Sequence, residues 1–231
     1  MEYVKKMIFT ASAITLFISA LLFVTPAAVF SQEIVAFIGE VSGKVIIVKS
    51  NPGEEIPAEI GALLSSGDTI KTGSGSFASV IFQDDGSRVK LGENAVLTLN
   101  VTRKQKKLNK RMRLDKGKLW AKVKKKRDTE FQINTPTSVA SVKGTNFIIE
   151  EHVWGETWVW VLEGRVELSN GRRNIIINKG QKGTATKEKI DVGKTKVDDD
   201  LLEPGKHNLI FYLMHKDDPN LRKELHLNIK K

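Results

Sequence analysis

The segment TNFIIEEHVWGETWVWVLEGRVELS, at residues 145–169, decides the fold class of this chain. Within it Trp158 and Trp160 have one parity, and Val159 and Val161 have the other. A period of two is typical of a β-strand, because successive side chains point to opposite faces. The segment therefore predicts strands, with Gly164 as a point where the chain bends.

Similar short runs of Val, Ile, Thr and Phe recur between residues 40 and 178, separated by Gly, Asn and Asp turn signals. Asp85-Gly86 and Asn170-Gly171 are the strongest hairpin signals, because both pairs suit a tight primed turn. We therefore predict an all-β fold, a sandwich or roll of short antiparallel strands, preceded by an N-terminal signal helix. The core is expected to contain Val45, Ile47, Val80, Phe82, Val89, Leu91, Phe131, Ile133, Phe147, Ile149, Val159, Val161, Val166 and Leu168.

The amino-acid composition and the motifs exclude several classes of protein function. The 231 residues include 37 Lys or Arg and 27 Asp or Glu, which gives a net charge of +10, and no cysteine. Disulfides, thiolate metal sites and cysteine nucleophiles are therefore excluded. The four histidines do not share a helix face, and no G-x-S-x-G motif is present. We expect no catalytic residue, metal site or cofactor, and hence no enzyme.

The N-terminus reads as a secretory signal at residues 1–31. Lys5 and Lys6 precede 18 uncharged residues, Met7 to Val24, and small residues follow. We expect cleavage after Ser31, while an uncleaved anchor formed by residues 7–24 is the alternative and the only membrane contact expected. Both place the remaining chain outside the cytoplasm, in the periplasm or the extracellular space, with the inner membrane as the site of any anchor.

Four motifs carry a family resemblance: GDTIKTG at 67–73, DGSRV at 85–89, TPTSVASVKGTNF at 135–147 and VLEGRV at 161–166. Together they resemble the FecR-like domain, named for the periplasmic part of bacterial iron-citrate sensor-regulators, from about Val35 to Thr186. The resemblance implies a binding or signalling module without catalysis. Family members that regulate sigma factors carry a cytoplasmic region before the membrane segment, whereas only Met1 to Lys6 precede the apolar run here. Anti-sigma activity is therefore not implied.

The motif glycines are expected to shape turns. We predict that Gly73 ends its strand with a positive φ or a bulge and that Gly144 restarts a strand. The predicted structural turn residues are Gly67, Asp68, Gly73, Gly86, Gly144 and Gly164.

The chain divides into a signal at 1–31, a FecR-like β domain at 32–190 and a C-terminal β appendage at 191–231. The appendage resembles the last strands of a bacterial Ig-like module, from its Pro204-Gly205 pair and its final alternating run. Its length is too short for a whole sandwich.

Positive charge is concentrated between Arg103 and Arg127, where 14 cations face only Asp115. An exported chain seldom meets nucleic acid, so we expect no nucleic-acid partner. The segment is either a solvated hairpin face or a site for anionic lipids or polymers of the envelope. The candidate residues are Lys106, Lys107, Lys110, Arg111, Arg113, Lys122, Lys124, Lys125, Lys126 and Arg127.

Three tryptophans, Trp154, Trp158 and Trp160, share one parity. They form either a packed core or subunit contact, or an aromatic platform for a ligand such as a sugar ring.

The sequence leads us to expect one of two functions. The first is an exported sensor or adaptor that works through contacts with an envelope protein. The second is a carbohydrate- or polyanion-binding protein that uses the basic segment and the tryptophans.

Overall fold

The fold is described from a computed structural model, which covers residues 33–104, 107–126, 129–194, 208–215 and 218–228. The signal expected at 1–31 lies outside these residues. The described ranges contain nineteen strands and no helix. These ranges therefore contain no helix that could span a lipid bilayer.

The strands up to the longest one are β1 (Ile34–Ser42), β2 (Val45–Val48), β3 (Glu55–Pro57), β4 (Leu63–Ser65), β5 (Thr69–Thr72), β6 (Phe77–Phe82), β7 (Arg88–Leu91), β8 (Val96–Lys104) and β9 (Lys107–Lys122). They are followed by β10 (Phe131–Asn134), β11 (Val139–Val142), β12 (Asn146–His152), β13 (Glu156–Glu163), β14 (Arg165–Ser169), β15 (Asn174–Asn178), β16 (Gln181–Ala185), β17 (Ile190–Lys194), β18 (Asn208–His215) and β19 (Asp218–Asn228).

Strands β1 to β17 form two hydrogen-bonded rows that share β9. The first row runs β4–β1–β6–β7–β9–β12–β13–β16–β17. The second row runs β3–β2–β5–β8–β9–β10–β11–β14–β15. The all-β prediction is confirmed. The expectation of short antiparallel strands is wrong for β9, because this strand pairs with β10 in parallel and contains 16 residues.

Strand β9 changes rows at Gly117. Residues up to 116 pair with β8 in the second row, and the following residues pair with β7 and β12 in the first. Gly117 has a φ of +91°, and an added Cβ there would lie 2.6 Å from the Cα of Ala95. Leu114 precedes the bend and Leu119 follows it, and the two have opposite parity. Both lie in the core, because the bend reverses which alternate residues face inward.

All fourteen predicted core residues are buried in a single hydrophobic cluster. The cluster takes Val45 and Ile47 from the second row and Val159 and Val161 from the first. The two rows therefore face each other across one core, which leaves the outer face of each row for other contacts.

The turn at Gly67 is built as predicted. Gly67 has a φ of +91°, and the buried carboxylate of Asp68 accepts hydrogen bonds from the backbone N–H groups of Ser50 and Ser65, each at 2.9 Å. Lys49 also pairs with this carboxylate. Asp68 therefore ties the strand β5 to the preceding loops.

The other predicted turn glycines differ in their backbone conformation. Gly86 has a positive φ, as expected, and so do Gly144 and Gly164. Gly144 precedes the start of β12, and Gly164 turns the chain from β13 in the first row to β14 in the second, as the expected restart and bend require. Gly73 ends β5 without a positive φ, so the first of its two expected conformations is wrong. Its backbone N–H instead donates to the Lys44 carbonyl at 2.9 Å, and an added Cβ would come within 3.3 Å of that oxygen.

The sheet extends slightly past the boundary expected at residue 190, because β17 pairs with β16 as far as Lys194. Beyond it, β18 and β19 pair with each other in an antiparallel hairpin.

Candidate functional site

A second hydrophobic cluster lies on the outer face of the first row. Because Val159 and Val161 face the core, Trp158 and Trp160 point the opposite way. This aromatic cluster consists of Ile148, Trp158 and Trp160, with Trp120 and Leu162 packed against them. The rings of Trp158 and Trp160 meet edge to face with centroids 5.7 Å apart, and the two residues are only 7% and 5% exposed. Both tryptophans are therefore packing residues in this structure.

Two lysines lie over the aromatic cluster. The Nζ of Lys182 is 3.2 Å from the centroid of the Trp158 ring and 4.9 Å from that of Trp160. Lys118 lies 6.0 Å from the Trp160 ring and pairs with Glu150 at 3.1 Å. Cations over indole faces are held by the ring quadrupole. Lys182 thus occupies a ring face on which a sugar would have to stack.

The turn between β12 and β13 carries the exposed part of this aromatic surface, which we call the tip, residues Val153 and Trp154. They are 87% and 57% exposed. The Trp154 ring stacks on His152 with centroids 4.5 Å apart, and His152 meets the edge of Trp158 at 4.2 Å. The three tryptophans of the expected platform thus lie together, with His152 between Trp154 and Trp158. Trp154 is exposed, and Trp158 and Trp160 are buried.

The surroundings of His152 favour its neutral form. Burial lowers its pKa, and the nearby carboxylates of Glu150 and Glu156 only partly oppose this effect. A neutral imidazole packs against two indole rings without the desolvation penalty of a cation. His152 therefore acts as an aromatic spacer between the tip and the aromatic cluster.

Lys110 corrects the expectation for the basic segment, because its side chain is buried, 2% exposed, and is paired with acidic side chains. Its ammonium lies 2.8 Å from both Asp84 Oδ1 and Asp85 Oδ2, and 5.2 Å from the centre of the Phe82 ring. Burial acts to raise the pKa of Asp85, but hydrogen bonds from Lys110 and Ser87 outweigh it, so that the pKa is lowered.

Several other cations of the segment are also paired. Arg111 binds Glu130 at 2.7 Å, Arg113 binds Asp115 at 2.7 Å, and Lys126 lies 3.2 Å from Asp84. Lys106, Arg127 and the side chain of Lys107 lie outside what the structure describes.

Four exposed lysines near the end of β9 and the start of β12 are among those that form no ion pair with any residue that the structure describes. We call them the lysine group: Lys122, Lys124, Lys125 and Lys143. Lys124 and Lys143 line one surface depression, and Lys125 packs against Gly144. Lys143 was missed in the sequence because it lies 16 residues beyond the basic segment, and only strand pairing brings it close.

Glu151 is a buried carboxyl that the sequence analysis also missed. It accepts a hydrogen bond from Thr157, whose hydroxyl lies 2.7 Å from those of Thr135 and Thr137. Burial raises the pKa of Glu151, although the threonine hydrogen bonds partly oppose it. Glu151 has the same parity as the core residues Phe147 and Ile149, and this pattern could have predicted its burial. Within the described ranges no three acidic or histidine side chains are arranged to hold a metal ion.

The architecture is thus that of an all-β module with an aromatic outer surface, and part of it is similar to a known protein family. The family model described as FecR protein matches residues 68–167. Residues 68–167 are therefore similar to a FecR domain, which confirms the resemblance inferred from the motifs.

Two crystal structures of a candidate anti-sigma factor from Parabacteroides distasonis ATCC 8503 are similar to this chain, with TM-scores of 0.49 and 0.47. Each has 16% sequence identity and covers 55% of this chain and 60% of that chain. The comparison with curated proteins gives no match.

Proposed function

We propose that this protein is an exported, non-catalytic sensor or adaptor of the bacterial cell envelope, which acts by binding another protein through the tip. The similarity to a FecR domain supports the signalling role. The observation that carries the binding role is the exposed pair Val153 and Trp154, supported from beneath by His152 and Trp158.

The tip has the properties of a protein-binding hot spot. Tryptophan is enriched among the few residues that dominate interface energy, and it contributes most where its position is fixed before binding. Trp154 is fixed by stacking on His152 and by a 3.3 Å hydrogen bond from its Nε1 to Glu156. A partner that covers Val153 and Trp154 would therefore bury apolar surface with little loss of side-chain entropy.

Affinity capture from envelope extract tests this role with the tagged full-length chain. We expect wild type to retain a defined protein at high salt, and Val153→Ser with Trp154→Ser to lose it. Trp154→Phe is the matched control, because it keeps an aromatic ring for the stack on His152. Equal capture by all variants, or no defined partner, would contradict binding through the tip.

Export is tested separately, by cell fractionation and N-terminal sequencing. Cleavage after Ser31 should give a chain that starts at Gln32 in the envelope fraction, and an uncleaved chain should sediment with the inner membrane. Recovery of the intact chain from the cytosol would refute export.

Binding of an anionic lipid or polymer of the envelope is a second candidate, favoured by the lysine group. Each lysine near an anionic surface contributes about 1 kcal/mol, so four together change affinity by about three orders of magnitude at low salt. Replacing all four by Gln should abolish binding to phosphatidylglycerol vesicles. Arg111→Gln with Arg113→Gln removes cations that already have carboxylate partners and should have little effect. Equal losses in both variants would show that net charge, and not this group, is responsible.

A further inference from the structure

The two rows of strands end in edges that no described strand covers. At one end, which we call the leading end, β3 pairs only with β2 and β4 pairs only with β1. At the other, the trailing end, β15 pairs only with β14 and β17 pairs only with β16. Open edges present unpaired N–H and C=O groups and are templates for another strand.

Exposed apolar side chains are concentrated at these same ends. Of the seven large hydrophobic residues exposed in the described chain, two form the tip and five lie at the ends. Ile34, Ile60 and Leu63 belong to the leading end, and Ile176 and Val192 belong to the trailing end. Apolar surface collected at a sheet edge is typical of an interaction site.

The charges of the two ends have opposite signs. The exposed ionisable residues on β3 and in the loops beside it are Glu54, Glu55 and Glu59, of which Glu55 pairs with Lys71. Those on β15, β17 and their loops are Arg172, Arg173, Lys179, Lys187, Glu188, Lys189, Asp191 and Lys194. The leading end is therefore acidic and the trailing end is basic.

We propose that copies of this chain associate head to tail, with the leading end of one copy on the trailing end of the next. Opposite charges would set the direction of the contact, and the exposed Ile and Val side chains would be buried in it. Pro57 deprives β3 of a donor, and on β4 the Ser65 N–H and the Leu63 carbonyl already bind Asp68 and Lys49, so the apolar and charged side chains would carry most of the contact. Because the two surfaces differ, the contact is heterologous and produces rings or open chains of molecules.

This inference goes beyond the proposed function, since the association does not use the tip. It is tested by sedimentation velocity on the purified full-length product over a wide concentration range, at low and high salt. We expect the mean mass of the wild type to rise with concentration and to fall when salt is added.

Charge reversal separates the two ends. Glu54→Arg with Glu59→Arg alters the leading end, and Arg172→Glu with Arg173→Glu alters the trailing end. Each variant should associate about tenfold more weakly than wild type, because like charges then meet. An equimolar mixture of the two should recover association, because each variant keeps the native end that the other lacks.

Val153→Ser with Trp154→Ser is the matched control, since it removes the other exposed apolar pair and should leave association unchanged. A wild type that stays monomeric throughout overturns the proposal. So does a mixture that fails to recover, or an association lost in the tip variant. Far-ultraviolet circular dichroism checks that each exposed substitution leaves the strands intact.

Discussion

Replacing Lys110 with Met should strongly destabilise the fold. Met fills a similar volume beside the Phe82 ring but removes the ammonium that lies 2.8 Å from both Asp84 and Asp85. Both carboxylates are nearly fully buried, and Lys126 remains within 3.2 Å of Asp84 only. Asp85 would then be a buried charge without an ionic partner.

The magnitude follows from this burial. Removing one member of a buried ion pair costs about 3–5 kcal/mol, whereas replacing the whole group by neutral residues of similar volume costs little or stabilises. Lys110→Met alone should therefore lose about 4 kcal/mol of unfolding free energy. Lys110→Met combined with Asp84→Asn and Asp85→Asn should recover most of that loss.

Urea denaturation followed by tryptophan fluorescence measures both variants. With an m value of about 2 kcal/mol per molar urea, the single variant should shift the midpoint by about 2 M. The control is Arg113→Gln, which breaks the exposed pair with Asp115 and should change stability by less than about 1 kcal/mol. A single Lys110→Met variant as stable as this control would refute the buried network.

The pH dependence provides an independent check. Since the native pKa of Asp85 is lowered, its ionised form adds stability above its unfolded pKa of about 3.9. That contribution disappears as the pH falls through the native value. The free energies of wild type and Lys110→Met should therefore converge in acid.

Gly117→Ala should destabilise by about 2–4 kcal/mol, because it adds a contact of 2.6 Å with Ala95 to the penalty for positive φ. Gly171→Ala, at a φ of +82° in open space, should show only the conformational penalty of about 1–2 kcal/mol, and equal losses would contradict the contact. Glu151→Gln should stabilise the protein at neutral pH, because the pKa of Glu151 is raised and its ionised form disfavours folding above that pKa. The gain should shrink as the pH falls and Glu151 takes up a proton in the native state, and a gain that grew in acid would contradict this reasoning.

Alternation made most of the core predictable. Parity alone placed Val159 and Val161 in the core and Trp158 and Trp160 on the opposite face, and the structure agrees. The same rule applied to Lys110 would have placed it inside, beside Leu108 and Met112 on the same face. Its charge led to a surface interpretation, although a lysine of inward parity needs acidic partners in the core.

Those partners could not be located from the sequence. Asp84 and Asp85 precede Lys110 by about 25 residues, and nothing in the spacing states which turn meets which strand. Gly73 shows the same limit on a smaller scale. A glycine in close contact with Lys44 looks the same in the sequence as one that adopts a positive φ.

The local sequence could not predict which of the two rows each strand joins. A turn signal such as Asn170-Gly171 joins neighbours within one row, whereas Gly164 moves the chain to the other row, and both are single glycines with positive φ. The difference lies in what each glycine packs against. An added Cβ at Gly164 would lie 2.9 Å from the Gly144 carbonyl, while one at Gly171 would meet nothing within 4 Å. The corner between rows is thus specified by contact with a segment 20 residues away, and so are the positions of the tip and the lysine group that depend on it.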